Sequence, residues 1–307
     1  MTRRLNWTIA ILLLVIGVPY YWFLLDNRPG NAIAKPVTIG QLRTLAEAKP
    51  GPHPSGVEME LVGWSDVPGD LFAAGSGLMR EQIGIMAFRL PVPGDRPIVI
   101  DSGLTAADAE EIGLDTWLGA EQAKVDQAMS EAGLILLTHE HPDHMGGLLG
   151  WARDATFARA TLNGPQKIEA GRRLGISVDG AETKATGQPY AIAPGVVVIP
   201  APSHTPGSQM IFVRLGSGAE FLFAGDIATM EPSWRELRAR SRLVGTMLSP
   251  EDRPEVYSWL KTIQALKAAA PNMAIIPGHD VKSVLAIEQP AKIRSGFNLS
   301  QINAIRR

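Results

Sequence analysis

Residues 134–147 read LILLTHEHPDHMGG and join a short apolar run to a dense set of polar side chains. The apolar run at residues 134–137 predicts a buried strand, and the residues after it predict a loop that leads into a helix starting near Met145. Imidazole and carboxylate groups are common ligands of Zn²⁺, so the loop predicts a metal site at the end of a strand. The candidate ligands in this loop are His139, His141, Asp143 and His144.

Three further apolar runs end just before one more candidate ligand each. These runs also predict buried strands, in a chain where strands and helices alternate. Because strand ends converge on one edge of a layered α/β fold, we expect all the candidate ligands to meet in one cleft. The additional ligands are His204, Asp226 and His279, which follow runs at residues 196–199, 221–223 and 273–276.

The spacing of the candidate ligands divides them between two ions. His139 and His141 are two residues apart, so an extended loop points both to one side, whereas Asp143 and His144 come where the chain turns into the helix. Asp226 offers two oxygens and can bridge ions that lie about 3.5–4 Å apart. The set predicted for the first ion is His139, His141 and His204, and the set predicted for the second is Asp143, His144 and His279.

The N-terminal region contains a long apolar segment without charge. Residues 7–25 read WTIAILLLVIGVPYYWFLL, which at about 1.5 Å per residue nearly spans a hydrocarbon core of roughly 30 Å. Arg3 and Arg4 precede it and three aromatic residues, 20–22, lie near its far end, which predicts a cytoplasmic N-terminus. We therefore expect a single-pass inner-membrane protein whose remaining chain is periplasmic. The alternative is a cleaved signal peptide with Ala-Ile-Ala at residues 32–34 as its site, although the apolar run is longer than the usual ~7–15 residues.

The chain of 307 residues divides into four predicted parts. Residues 1–28 form the anchor or uncleaved signal, residues 29–56 a linker rich in Pro, Gly and Ala, residues 57–290 the globular domain, and residues 291–307 a C-terminal tail. A net charge of −2 gives no reason to expect a nucleic-acid partner. The absence of cysteine excludes disulfides, a cysteine nucleophile and cysteine metal ligands. The oligomeric state is left open.

These motifs resemble those of the metallo-β-lactamase-fold hydrolase superfamily, and the resemblance covers roughly residues 57–285. It implies an α/β fold, a four-layer αββα sandwich, here preceded by one N-terminal transmembrane helix. It also implies that Asp101 supports the metal ligands from behind. The matching stretches are IDSG at residues 100–103, THEHPDHMGG at 138–147, SHTPGS at 203–208, FAGD at 223–226 and PGHD at 277–280.

The resemblance implies a metal-dependent hydrolase that holds two Zn²⁺, or other divalent ions such as Mn, Fe or Co, and uses a metal-bridged hydroxide. Asp143 is the expected proton acceptor. The motifs are most similar to those of lactonase-like members, which favours an ester or lactone of a small molecule as substrate. Glyoxalase II enzymes share the bridging aspartate, but the short segment after His279 argues against their helical C-terminal domain. A β-lactamase or phosphodiesterase of the same fold, or a mononuclear iron persulfide dioxygenase, stays open as an alternative.

The segment between Asp226 and His279 is expected to contribute to the substrate pocket. Met230 and Trp234 are candidates for an apolar pocket wall, and Arg242 is a candidate clamp for a carboxylate or phosphate of the substrate. The alternatives are core packing for Met230 and Trp234, and a solvated helical face for the arginine.

Overall fold

Two β-sheets packed face to face form the centre of the molecule, described from a computed structural model over residues 3–178, 187–287 and 293–297. The first sheet has seven strands, in the order β12-β1-β2-β3-β5-β6, with β4 paired to β1. Its strands are β1 Glu58–Pro68, β2 Arg80–Leu90, β3 Ile98–Ile100, β4 Thr116–Trp117, β5 Leu134–Leu136, β6 Ala160–Thr161 and β12 Arg294–Ser295.

The second sheet has five strands in the order β11-β10-β9-β8-β7. Its neighbours are antiparallel except for β10 and β11, which run parallel and bring the residues after both strands to the same edge. Its strands are β7 Tyr190–Ala193, β8 Val196–Pro200, β9 Gln209–Arg214, β10 Glu220–Gly225 and β11 Ala274–Pro277.

Helices flank the two sheets, and one further helix near the N-terminus buries none of its apolar window. They are α1 Arg3–Leu25, α2 Ile39–Ala46, α3 Gly69–Phe72, α4 Ala106–Glu111, α5 Gly119–Glu131, α6 Pro142–Leu149, α7 Gly164–Leu174, α8 Glu231–Arg235, α9 Arg253–Ala269 and α10 Val281–Leu285. Short helical turns of other types occupy Phe157–Arg159, Asp226–Ala228 and Leu243–Leu248.

Apolar side chains join these layers in three clusters. The inner faces of the two sheets share one cluster, in which the Phe88 and Phe223 rings meet edge to face with centroids 5.0 Å apart. Val125 and Met129 of α5 pack on the outer face of the first sheet, and Leu260 of α9 packs on that of the second. The predicted αββα sandwich is therefore confirmed.

The strands predicted before the ligand motifs all form, with ends that shift by up to a few residues. The helix expected to begin near Met145 instead begins at Pro142. Proline suits the first helical position because its missing N–H would have no intrahelical partner there. Asp143 and His144 therefore lie in the first helical turn rather than in a loop.

Helix α1 is the one helix of the described ranges that is long and apolar enough to cross a membrane, and none of its apolar window is buried. Pro19 lies within it, between two π-helical turns, where its missing N–H interrupts the regular bonding. Part of the predicted C-terminal tail adds to the first sheet, because β12 pairs with β1 and Phe297 N donates to Glu60 Oε2 at 2.8 Å. The rest of that tail lies outside the described residues.

Candidate metal centre

The candidate ligands lie where strands of both sheets end at one edge of the sandwich. The residues after β5 in the first sheet provide His139, His141, Asp143 and His144. The second sheet provides the others, which are His204 after β8, Asp226 directly after β10 and His279 after β11. Ligands far apart in sequence thus meet because two layers place their strand ends together.

The first group contains three histidines and Asp226, whose ligand atoms all lie within 4.8 Å of one another. His141 Nδ1 lies 3.1 Å from His139 Nε2 and 3.1 Å from His204 Nε2. Asp226 Oδ2 lies 3.8 Å from His139 Nε2 and 3.6 Å from His204 Nε2. Ligands about 2.0–2.1 Å from one tetrahedral Zn²⁺ are themselves separated by roughly 3.3–3.4 Å, so the spacing suits such an ion.

The second group contains Asp143, His144 and His279, again with ligand atoms within 4.8 Å of one another. His144 Nε2 lies 3.4 Å from His279 Nε2. Asp143 Oδ2 lies 3.6 Å from the first of these nitrogens and 3.3 Å from the second. Gly84 O lies 2.8 Å from His279 Nδ1, and since a carbonyl only accepts, this contact puts the proton on Nδ1 and leaves Nε2 free to bind an ion.

Asp226 lies between the two groups. Its Oδ2 faces the first group and also lies 3.2 Å from His279 Nε2, whereas its Oδ1 lies 3.0 Å from His279 Nε2 and 3.6 Å from His144 Nε2. Among the described residues, this buried Oδ1 has no partner with hydrogen-bond geometry, which fits an oxygen reserved for an ion. Gly278 leaves the space next to this oxygen open, because a Cβ at residue 278 would lie 2.1 Å from Asp226 Oδ1.

The carboxylate of Asp101 lies behind the ligands, as the sequence resemblance implies. Its Oδ2 lies 2.9 Å from His144 Nδ1, and its Oδ1 accepts a hydrogen bond from Thr138 N at 2.7 Å. Asp101 has a left-handed backbone with φ 59°, which aspartate tolerates better than most residues do. The contact to Nδ1 turns the other nitrogen of His144 toward the site.

Glu140, which stands between two ligands in the sequence, joins the loops of the two sheets. Its Oε2 accepts from Thr205 Oγ1 at 2.7 Å, and its Oε1 accepts from Gly207 N at 2.9 Å. Both donors belong to the loop that carries His204. Glu140 therefore fixes the distance between two ligand-bearing loops.

The sequence reasoning missed Glu251 and gave Arg240 no definite role. Glu251 is buried, and its Oε2 lies 2.9 Å from His204 Nδ1. Arg240 is also buried and donates from Nη2 to Asp226 Oδ2 at 2.5 Å and from Nε to Thr229 Oγ1 at 2.8 Å. No local signal marks either residue, because Glu251 is distant from His204 in sequence and Arg240 is one of several neighbouring arginines.

Burial and local charge set the protonation of the ligands. Burial and the nearby charge of His144 hold the pKa of His139 well below the usual range. Burial and the nearby charge of Arg240 do the same to the pKa of His204. Burial also lowers the pKa of His141. Burial opposes a charge on His144, but the carboxylates of Asp101 and Asp143 outweigh it and raise its pKa to about 10. The three imidazoles of the first group are therefore already in the neutral form that binds a metal.

A cavity of about 680 Å³ opens beside both groups of ligands. His141, Asp143, Asp226 and His279 form part of its lining. Its apolar walls contain Leu71, Phe72, Ile83, Ile85, Ile112, Leu114, Val244 and Leu248, and its polar residues include Asp66, Arg80, Asp115 and Arg240.

The three residues expected to form the substrate pocket lie elsewhere. Met230 lines a neighbouring cavity of about 440 Å³, and Trp234 packs in the core between α9 and the second sheet. Arg242 pairs with Asp26 at the end of α1. The segment that contains them is not one helix, because α8 ends at Arg235 and Leu243–Leu248 forms a separate π-helical turn. Val244 and Leu248 reach the metal cavity in their place.

A sequence profile described as the metallo-beta-lactamase superfamily matches residues 90–279, a range that contains every candidate ligand. The chain belongs to the metallo-β-lactamase superfamily. The resemblance noted in the sequence is thus confirmed, and the protein is a member of a superfamily of metal-dependent hydrolases with a cluster of His and Asp side chains suited to a metal.

Solved structures of the same fold include lactone-cleaving enzymes. A quorum-quenching N-acyl homoserine lactone lactonase superposes with a TM-score of 0.58 at 16% identity, over 80% of this chain and 98% of that one. An N-acyl homoserine lactone hydrolase with the product N-hexanoyl-L-homoserine bound at its catalytic metal centre gives 0.56 at 16% identity, over 75% and 95%. At this identity the likeness establishes the shared fold.

One curated relative matches over a shorter range. The hydroxyacylglutathione hydrolase of Cupriavidus taiwanensis is 32% identical over 112 residues, which make up 34% of this chain and 41% of that protein. The match therefore spans less than half of the relative.

Proposed function

We propose that the chain is a membrane-anchored hydrolase of small esters or lactones that uses two divalent metal ions. The observation that carries the proposal is the position of Asp226, with Oδ2 facing the first group of imidazoles and Oδ1 facing His144 and His279. A carboxylate so placed can bridge two ions about 3.5–4 Å apart, the separation typical of two-metal hydrolases.

The donor set favours zinc, because it consists of imidazole nitrogens and carboxylate oxygens. Mn, Fe and Co accept the same donors. When bound, two such ions would supply Lewis acidity and a hydroxide nucleophile at neutral pH. We assign His139, His141 and His204 to the first ion, Asp143, His144 and His279 to the second, and Asp226 to both.

Asp143 is the residue best placed to move a proton. Its side chain is 18% exposed and lines the cavity, whereas the Asp226 side chain is 4% exposed and paired with Arg240. A carboxylate at the edge of the cavity can accept the proton of an attacking water and deliver it to the leaving oxygen. Such a reaction needs no serine or cysteine nucleophile and no covalent intermediate.

The cavity favours a substrate with an apolar arm and a polar head. Its volume of about 680 Å³ suits a small molecule, and Phe72, Ile83 and Val244 belong to its apolar walls. Each methylene buried against such a wall contributes about 0.8 kcal/mol, so a few carbons give useful affinity. The fold shared with lactone-cleaving enzymes supports an ester or lactone head.

A second candidate is hydrolysis of a thioester such as hydroxyacylglutathione. The match to a hydroxyacylglutathione hydrolase over 112 residues favours it. Both candidates require the same attack on a carbonyl carbon, so the substrate alone distinguishes them.

Helix α1 supports an anchor in the inner membrane with the domain on the periplasmic side. Arg3 and Arg4 at its start and the aromatic residues at its far end fit this direction. A reporter fused after Arg307 tests it. Activity of a periplasmic reporter fits the anchor, whereas activity of a cytoplasmic reporter alone contradicts it.

Metal analysis and a substrate panel on the full chain in detergent test the catalytic proposal. We expect about two zinc ions per chain and faster turnover of lactones or esters than of β-lactams, phosphodiesters or glutathione thioesters. One iron per chain with persulfide oxidation would replace the proposal with the dioxygenase alternative. Thioester turnover orders of magnitude above that of any lactone would favour the second candidate.

A further inference from the structure

The far end of α1 is bonded to the loop between β1 and β2, residues 69–79, which we call the front loop. Tyr20 Oη donates to Asp70 Oδ2 at 3.0 Å, and Gly75 N donates to Leu24 O at 3.2 Å. Asp70 Oδ1 in turn accepts from Gly77 N at 2.6 Å, which holds the loop in shape. The front loop therefore lies alongside the last turns of α1.

A second segment, residues 238–253, is bonded to the same helix end. Arg242 donates to Asp26 Oδ2 from Nε at 2.8 Å and from Nη2 at 2.5 Å. Its guanidinium carbon also lies 3.9 Å from the centroid of the Trp22 ring. Arg253 Nη2 donates to Asp26 O at 2.7 Å. Helix α1 is thus fixed to the domain through two segments rather than joined by a free linker.

Both segments expose large apolar side chains. Leu78 and Met79 of the front loop are 60% and 78% exposed, and Met247 and Leu248 of the second segment are 62% and 69% exposed. Single exposed apolar residues are ordinary on a soluble surface. Two adjacent pairs on the segments that hold a membrane-spanning helix are the composition expected of a surface that contacts lipid.

The same two segments form one wall of the metal cavity. Leu71 and Phe72 of the front loop line it, and so do Val244 and Leu248 of the second segment. Leu248 therefore belongs both to the exposed apolar surface and to the cavity wall. A substrate that reaches the metal centre over this wall passes the exposed apolar side chains first.

The position of Tyr20 near the end of α1 determines where the front loop lies relative to a bilayer. A helix rises about 1.5 Å per residue, so Tyr20 lies roughly 7–8 Å along the axis from Leu25. With aromatic residues placed at the headgroup level, the bond from Tyr20 brings Asp70 and the front loop to the lipid surface.

We propose that the front loop and the second segment rest on the bilayer that holds α1, so that the cavity opens at the lipid surface and receives amphiphilic esters from the membrane. This inference rests on the proposed anchor and hydrolase activity, and it adds the source and class of substrate. The apolar arm enters past Leu78, Met79 and Met247, while the ester head reaches the metal ligands.

Fluorescent labelling of the full chain in phosphatidylcholine vesicles tests the contact with lipid. Because the protein has no cysteine, Met79→Cys gives a unique label on the front loop. Ile16→Cys in α1 reports the anchor, and Ile168→Cys on α7, which is 74% exposed, is the matched control outside the two segments. Doxyl lipids should quench the labels at 79 and 16 and leave the label at 168 bright.

The pattern of quenching distinguishes failure of the membrane anchor from failure of the lipid-facing surface. Quenching at 16 without quenching at 79 overturns the lipid-facing surface and leaves the anchor intact. Quenching at neither position means that the anchor is wrong, and the lipid-facing surface fails with it. Equal quenching at 79 and 168 also overturns the proposal, because the front loop then has no special contact.

Turnover in the same vesicles tests the route of the substrate. Leu78→Asp with Met79→Asp should lower hydrolysis of a long-chain ester dissolved in the lipid by roughly tenfold and leave a soluble acetyl ester unchanged, since lost lipid contact affects only access. Ile168→Asp with Ile176→Asp is the control and should change neither rate. Equal loss on both esters, or no loss on either, contradicts the proposed route.

Discussion

The rear of the cavity consists of polar metal ligands, whereas its front wall consists of apolar side chains. At the rear, the metal ligands other than His141 and Asp143 are buried, and several are fixed by a further contact, such as Asp101 to His144 and Gly84 O to His279. At the front, the wall consists of apolar side chains on two segments that are bonded to α1. The rear fixes atoms to fractions of an ångström for chemistry, and the front provides a surface for binding.

This contrast predicts that substituting Asp226, which lies between both ligand groups, causes the largest loss of turnover and of bound metal. Asp226→Ala removes the carboxylate between them, so we expect about one ion less per chain and at least a hundredfold loss of turnover. Metal analysis and kinetics measure both quantities, with the exposed Asp95→Ala as the control. Unchanged metal content together with unchanged turnover would show that Asp226 is only structural.

A smaller loss is expected at the contact that orients His204. Glu251→Ala removes the carboxylate 2.9 Å from His204 Nδ1, and support of this kind is worth about 10- to 100-fold in metal affinity. Glu251→Gln keeps an oxygen at that place and should lose less. Competition with a chelator gives the affinities, and equal losses in both variants would argue against an orienting role.

The front wall should affect binding without affecting the metals. Phe72→Ala removes an aromatic ring from the cavity, so KM for a long-chain ester should rise by roughly tenfold while kcat for an acetyl ester and the metal content stay the same. Kinetics over esters of increasing chain length provide the measurement. A matching fall in kcat for the acetyl ester would mean that the front and rear are not separable.

The smallest effect is expected where α1 meets the front loop. Tyr20→Phe removes one hydrogen bond, to Asp70, which is worth about 0.5–1.5 kcal/mol. Denaturant unfolding of the full chain in detergent should show a loss of that size. Metal content should not change, and a loss of metal in this variant would contradict the independence of the two regions.

The contrast between the metal ligands and the front wall also explains which features could be predicted from the sequence. The motif around His139 lies directly after its strand, and the other ligands also follow apolar runs, so local pattern and spacing sufficed to gather them. The cavity wall could not be read, because Val244 and Phe72 are brought together by bonds across the fold. Arg242 shows the difficulty, since its pairing with Asp26 depends on where α1 ends. Glu251 was missed for the same reason.

The division of the ligands between the two sheets has a consequence for unfolding. The second ion, held by His144 after a strand of the first sheet and by His279 after a strand of the second, would close a loop that spans nearly half of the chain. Closing a long loop restricts the unfolded ensemble, and an ion that binds only the folded state adds its binding energy to stability. In a protein without disulfides, the ions would thus cross-link the halves of the sandwich, and losing them would loosen the whole domain as well as end the reaction.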